Sequence, residues 1–360
     1  MEGARRCADL YVALSDTPGM ARTVNWGVLG AANIATERVI PAMNEAPSAT
    51  LLAVSSRDEQ KARAVAQEFG IPRSFASYDD LLADPDIHAV YVPLPNTLHV
   101  EWSVRALEAG KHVLCEKPLS MTVEGVDELI AARDRTGRHI EEALAYRNHP
   151  QWQQLGELLA AGVVGEVRSV HATMAKAFLD PADIRNDAAA GGGSLRDMGP
   201  YVISACNTIL GGPPARVVAA AEIHPEFGVD GLTSALLDYG GRHASITVSV
   251  HSGPSGWGSH QQLSVLGSTG WLRMSFPFAH GRPVACRIDV GDTTSLGDHP
   301  TSSYAFEPAN HYLLQAERFS RFVLGEPVPN WPLENARDIA CTIEALFASA
   351  RSGSWCSLPS

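Results

Sequence analysis

An apolar run, Val24–Leu29, ends on Gly30 and gives way to a helical pattern over residues 35–45, and this strand-then-helix unit recurs to about residue 145. Further strands are predicted at 50–55, 88–93, His112–Cys115 and 139–144, with helices at 58–69, 99–109 and 122–136. Gly70, Gly110 and Gly137 stand where those helices should stop. Strands and helices alternating through such short links build a parallel, doubly wound α/β sheet.

After Pro150 the rhythm changes. Helix 152–161 and strand 166–177 lead to the glycine-rich turn Gly191-Gly192-Gly193 and a helix predicted over 197–210. Strand-like runs follow at 217–223, 234–238, 244–250, 263–266 and 271–276, then two helices at 309–324 and 333–350. The pattern predicts an α+β domain on a mostly antiparallel sheet with helices on one face. The expected division is an arm over residues 1–23, a first domain over 24–147 and a second over 148–360. Met20 lies just before the first strand, so residues 1–19 are expected to be a disordered arm or to precede the true start.

The formal charge of −12 sets the chain against phosphate backbones and anionic lipid, so neither nucleic acid nor a membrane surface is an expected partner. No stretch has the length and apolar content of a membrane span. The six cysteines are scattered without CxxC spacing, and no HExxH pattern occurs. The reading is of a reduced, cytoplasmic protein with no metal site.

The turn after the first strand reads Gly30-Ala31-Ala32-Asn33-Ile34-Ala35, a GxGxxG/A pattern with Ala at its second glycine position. Such a turn lets the backbone of Gly30, Ala32, Asn33 and Ile34 approach a dinucleotide's pyrophosphate, with the following helix aimed at its charge. The second strand ends in Ser55-Ser56-Arg57, where an NAD-binding protein usually places an acid for the ribose 2′-OH. With that acid missing, and with Ser56, Arg57 and Lys61 present, the expected cofactor is NADP(H).

Four further segments belong together: Pro93-Leu94-Pro95-Asn96 with His99; Cys115-Glu116-Lys117-Pro118; Tyr146-Arg147-Asn148-His149-Pro150; and Gly191-Gly192-Gly193-Ser194-Leu195-Arg196-Asp197-Met198-Gly199-Pro200-Tyr201. With the strand–turn–helix before them, they resemble the glucose–fructose oxidoreductase/inositol dehydrogenase (Gfo/Idh/MocA) family from Val24 to about Trp355. The resemblance implies a Rossmann domain followed by a substrate domain. It makes Lys117 the substrate-contacting catalytic lysine, and it sets Pro93, Leu94, Asn96, His99, Glu116 and Lys117 beside the cofactor. Tyr201 stands where the family keeps its acid–base residue, often a histidine, and Asp197 precedes it by one helical turn. A tyrosine there is similar to the glucose–fructose oxidoreductase, anhydrofructose reductase and dihydrodiol dehydrogenase branch. Family members often form dimers or tetramers through the open face of the second sheet, so a homodimer or homotetramer is expected.

Hydride transfer at a carbinol carbon requires a proton to move at the attached oxygen. A phenol with a reference pKa of about 10 is a reluctant base, and a neighbouring Lys117 ammonium would lower it. Asp197 could orient a substrate hydroxyl or balance the lysine; it could equally cap its helix. Arg147 and Arg185 are candidates for substrate contact, Tyr312 is a weaker candidate for the pocket wall, and His149 is expected to be structural. The expected activity is NADP(H)-dependent hydride transfer on a sugar-like alcohol or carbonyl. The alternatives are a nucleotide-linked keto-sugar reductase, a tightly held cofactor shuttling between two sugars, and a non-catalytic sugar or cofactor sensor.

Overall fold

The computed structural model describes residues 23–255, 258–278, 283–295, 297 and 299–358, so the expectation for the amino-terminal arm falls outside it except at Thr23. The first domain runs β1 (Val24–Leu29), α1 (a π-turn over Ala35–Val39 continuing as Ile40–Glu45), β2 (Ala49–Ser55), α2 (Glu59–Phe69), β3 (Arg73–Phe75) and α3 (Tyr78–Ala83). It continues through β4 (Ala89–Val92), α4 (His99–Glu108), β5 (His112–Cys115), α5 (Val123–Thr136) and β6 (Ile140–Glu142). All neighbours pair in parallel, in the order β3-β2-β1-β4-β5-β6. This is the Rossmann order, and its direction reverses between β1 and β4, where ligands bind beyond the strands' carboxyl ends. The sequence reading omits β3 and α3; three strand residues and six helical ones are too few for periodicity to register. The π-turn of α1 precedes Pro41, which has no N–H to give and lies where the regular helix resumes.

The second domain comprises α6 (Pro150–Ala160), β7 (Val167–Ala175), α7 (Ser194–Asp197), α8 (Gly199–Leu210), β8 (Arg216–Ile223), β9 (Asp230–Asp238) and β10 (His243–Ser249). Then come β11 (His260–Gly267), β12 (Gly270–Met274), β13 (Cys286–Asp292), β14 (Ser302–Phe306), α9 (His311–Val323), α10 (Glu334–Ser352) and β15 (Cys356–Ser357). Its nine strands run β14-β13-β12-β11-β7-β10-β9-β8-β15, antiparallel except for the central β7–β10 pair. One face is apolar: Val170, Ala172 and Met174 of β7 are buried in one core with Val202, Ile203 and Cys206 of α8. The alternate residues turn the other way, and there His171 is bonded to Ser245 and Ser234 to Thr247.

Two features differ from the sequence reading. Helix 197–210 is two helices, because Pro200 begins a fresh helix at Gly199 and Asp197 closes the short one before it. Asp197 is therefore not an N-cap. The last two helices also pack partly on the first domain. Phe319 of α9 is buried against Trp26, whose indole Nε1 donates to Ser320 Oγ at 3.0 Å, and Arg318 is paired with buried Glu141. Leu333, Ala336 and Ala340 extend the Rossmann core while Ile343 and Leu346 enter the other, so α10 ties the two domains together.

Candidate active site

Gly30 makes the turn that opens the site. Its φ is +112°, and a Cβ there would lie 2.9 Å from Leu94 Cδ2, so a side chain fits neither the backbone nor the space. Its N–H donates to Ser55 O at 2.8 Å, which sets the end of β2 beside the first turn of α1. From this point a cleft of about 820 Å³ runs between the domains. Ala32, Asn33, Ile34, Pro93, Leu94 and Asn96 line one wall, as expected for cofactor neighbours. The small residues after Gly30 and the start of α1 at the switch point fit a dinucleotide's pyrophosphate, since the first amides of a helix have no partner within it. The Ser56 hydroxyl accepts from Asp58 N, and Asp58 in turn caps α2. Arg57 and Lys61 are exposed beside that turn and do not line the cleft itself.

His99 and Asn96 act through the protein. The buried His99 ring places Nδ1 2.8 Å from Pro118 O and Nε2 2.7 Å from Leu94 O, so it has no nitrogen left for a ligand. It holds the loop after β4 against the loop after β5. Asn96 Nδ2 donates to Gly191 O at 3.1 Å, which closes the cofactor wall onto the glycine-rich turn of the other domain.

Lys117 comes from the end of β5, and its ammonium crosses the cleft to Asp197, 2.6 Å from Oδ1 and 2.8 Å from the backbone oxygen. Arg185 Nε donates to the other carboxylate oxygen at 2.9 Å and its Nη1 to Asp183 at 3.2 Å. Burial alone would raise the Asp197 pKa, but Arg185 and Lys117 outweigh it and hold the carboxyl well below the usual range. The result is an alternating row, Lys117–Asp197–Arg185–Asp183, that fixes the lysine across the domain boundary. Behind it Glu116 accepts from Tyr91 OH at 2.7 Å and from Lys117 N at 3.2 Å.

Tyr201 stands in the first turn of α8, and its ring centre is 5.4 Å from the Lys117 ammonium. Its hydroxyl makes no hydrogen bond to a described residue and it lines the cleft. Burial pushes its pKa well above 10, and Tyr312, Glu116 and Asp197 push it further. The expected lowering by Lys117 is not found. The ammonium is committed to Asp197, and the acidic neighbours prevail, so the phenol keeps its proton.

Glycines also position Asp197. Gly193 has φ +108°, and a Cβ there would come within 2.1 Å of Asp230 Oδ1. Asp230 is buried and accepts from Ser194 Oγ at 2.6 Å and Leu195 N at 2.8 Å, anchoring the turn that delivers Asp197. Gly193→Ala should therefore cost roughly 1–3 kcal/mol of backbone strain and lower the thermal midpoint by several degrees in a calorimetric scan, with turnover falling as Asp197 shifts.

The remaining candidates divide. Arg185 and Tyr312 line the cleft. Arg147 does not: its guanidinium donates to Ser204 Oγ at 2.6 and 3.1 Å and stacks on Trp331, away from any ligand. His149 caps α6 by accepting from Gln151 N and is structural, as expected. The sequence reading misses Glu37 and Arg38 of α1, Lys176 and Phe178 after β7, and two separate buried residues, Tyr91 behind Glu116 and Asp230 behind Gly193. Charged residues on a surface helix and single residues after a strand carry no periodic signal that separates them from solvent-facing ones.

A Rossmann cleft faced by a lysine, held in place by an acid, and by a phenol that bonds to no described residue has the parts expected of a nicotinamide-dependent oxidoreductase. Residues 24–143 match the oxidoreductase family with the NAD-binding Rossmann fold, and 152–273 match the GFO/IDH/MocA C-terminal domain. The chain belongs to the GFO/IDH/MocA oxidoreductase family. It is 43% identical to an uncharacterized oxidoreductase, ORF334, of Rhizobium meliloti, over 92% of this chain and 98% of that one. It is 35% identical to the NADP(+)-dependent D-xylose 1-dehydrogenase 2 of Haloferax volcanii, over 91% of this chain and 98% of that one. KijD10, a 3-ketoreductase from Actinomadura kijaniata solved with NADP and TDP-benzene, superposes with a TM-score of 0.82 at 30% identity, covering 91% and 98% of the two chains. Among the described residues no helix is long and apolar enough to cross a membrane, and no group of three or more His, Cys, Asp or Glu is placed to hold a metal ion.

Proposed function

We propose that this protein transfers hydride between NADP(H) and a sugar-like alcohol or carbonyl, with Lys117 and Tyr201 handling the oxygen at which the proton moves. The observation that carries this reading is the pairing of a lysine fixed by Asp197 with a phenol whose hydroxyl bonds to no described residue, both facing one cleft. A bound nicotinamide would supply the hydride donor or acceptor. Lys117 donates toward the reacting oxygen and stabilises negative charge there. Tyr201, its half-buried phenol held in the neutral form by desolvation, is suited to deliver a proton to that oxygen in the reductive direction and to take it back in the oxidative one. Asp197 keeps the lysine aimed. The NADP(+) named for the xylose dehydrogenase and for the KijD10 complex supports the same cofactor here, as does Ser56-Arg57 at the end of β2, where the usual ribose-binding acid is missing. Retention of both Lys117 and Tyr201 favours an enzyme over a sensor.

Cofactor choice is tested at Arg57. Arg57→Asp should weaken NADP(H) binding by about 1.5–3 kcal/mol, the range of a charge-assisted hydrogen bond, and leave NAD(H) much less affected in a fluorescence titration. Equal affinity of the wild-type protein for NAD(H) and NADP(H) would contradict the assignment. Activity is tested by mass analysis of the purified protein for co-purified NADP(H), followed by a panel of aldoses and keto-sugars with and without added cofactor.

A further inference from the structure

Lys176, just after β7, is a cation in the substrate half of the cleft, and among the described residues it forms no salt bridge. Its ammonium lies 4.9 Å from the centre of the Phe178 ring, and the Arg185 guanidinium lies 4.1 Å from the same ring. The other basic groups around the cleft are matched: Lys117 by Asp197, Arg185 by Asp183 and Asp197, Arg38 by Glu37. Among the described residues no carboxylate comes within 4.0 Å of the Lys176 ammonium. Burial, then Arg185, pulls its pKa down, and Asp197 and Asp183, beyond salt-bridge distance, offset only part of that.

The outer groove that continues from the cleft has the opposite character. Asp183, Asp187 and Glu226 line it beside Pro95, Pro181 and Phe227, and no Lys or Arg among the described residues does. A nucleoside diphosphate reaching outward would put its negative charges among those carboxylates, whereas a small anion carried on the sugar would stay inside, at Lys176.

We propose that Lys176 binds a compact oxyanion on the substrate itself, a carboxylate or phosphate monoester near the reacting carbon, so that acidic sugars are preferred to neutral or nucleotide-linked ones. This rests on the reading of the cleft as a sugar site. The test uses the full-length protein with saturating NADP(+) and, in both the gluco and galacto series, the aldose, its uronate, its 6-phosphate and its UDP-glycoside. Binding and kcat/KM are measured for each. The uronate or the 6-phosphate should exceed its neutral aldose by roughly tenfold to a hundredfold, as expected of one charge-assisted contact. Whichever of the two arms responds identifies carboxylate or phosphate.

In Lys176→Gln that ratio should collapse toward one, while the Kd of NADP(+) stays within about a factor of two. The variant should unfold close to wild type, because the ammonium makes no salt bridge among the described residues and gives up only its contact with the Phe178 ring. Three results overturn the proposal: neutral or UDP-linked sugars preferred, a preference that survives Lys176→Gln, or a variant whose main loss is in NADP(+) affinity. Neutral sugars turned over with no acidic preference would defeat this inference alone. Failure to bind or turn over any sugar would defeat the proposed function with it.

Discussion

Lys117→Met should lose roughly 10²–10³-fold in turnover while its affinity for NADP(H) stays within a factor of about three. The side chain removed is the cation nearest the reacting oxygen in the proposed chemistry, and one such stabilising donor is typically worth 10²–10³ in rate. Methionine fills similar space, so the cleft should keep its shape. The loss also strands Asp197, whose side chain is only 16% exposed. Severing a fully buried pair costs roughly 3–5 kcal/mol, and the cost here should be less because Arg185 still holds the carboxylate. Asp197→Asn is the companion measurement. It should keep the fold while freeing Lys117 to wander, with kcat reduced more than KM is raised.

Tyr201→Phe should reduce turnover by roughly 10²–10⁴-fold, the usual contribution of a positioned acid or base. The ring remains to pack near Tyr146 and Phe278, so stability should barely change. No protein partner is orphaned, since the hydroxyl makes no hydrogen bond to a described residue. Because the phenol keeps its proton well above neutral pH, the wild-type reduction rate should be flat across neutral pH, with no limb arising from Tyr201 there. Combining the two substitutions should cost much less than the product of the single effects, because residues that serve one oxygen act as a unit. Wild-type turnover in Tyr201→Phe would pass the proton to Lys117 or to water.

The parts of this architecture legible in the sequence are those with local causes. The buried strands from Val24 to Cys115, the Gly30 turn and the acid-free end of β2 are read from neighbours a few residues apart. Lys117, Asp197 and Tyr201 are legible as members of motifs. Their arrangement is not, because Lys117 meets Asp197 across eighty positions of chain and a domain boundary. The tuning of Tyr201 went astray for the same reason: proximity to a lysine suggests a lowered pKa, whereas the carboxylate that claims the lysine and the burial of the ring decide the outcome. Asp230 looks like a surface acid at a strand end until Gly193 folds against it. Helix α9 has an ordinary amphipathic pattern, and nothing local says that Phe319 and Arg318 seek Trp26 and Glu141 in the other domain.

The most direct test of the account follows deuterium from aldoses and uronates labelled at every carbon-bound hydrogen into the nicotinamide ring, by mass spectrometry of NADPH formed from NADP(+). The account predicts label in NADPH with at least one sugar, a strong preference over NAD(+), and near-complete loss in both Lys117→Met and Tyr201→Phe. A protein that binds NADP(+) tightly yet moves no label from any sugar, or one whose double variant moves label as fast as wild type, would contradict it.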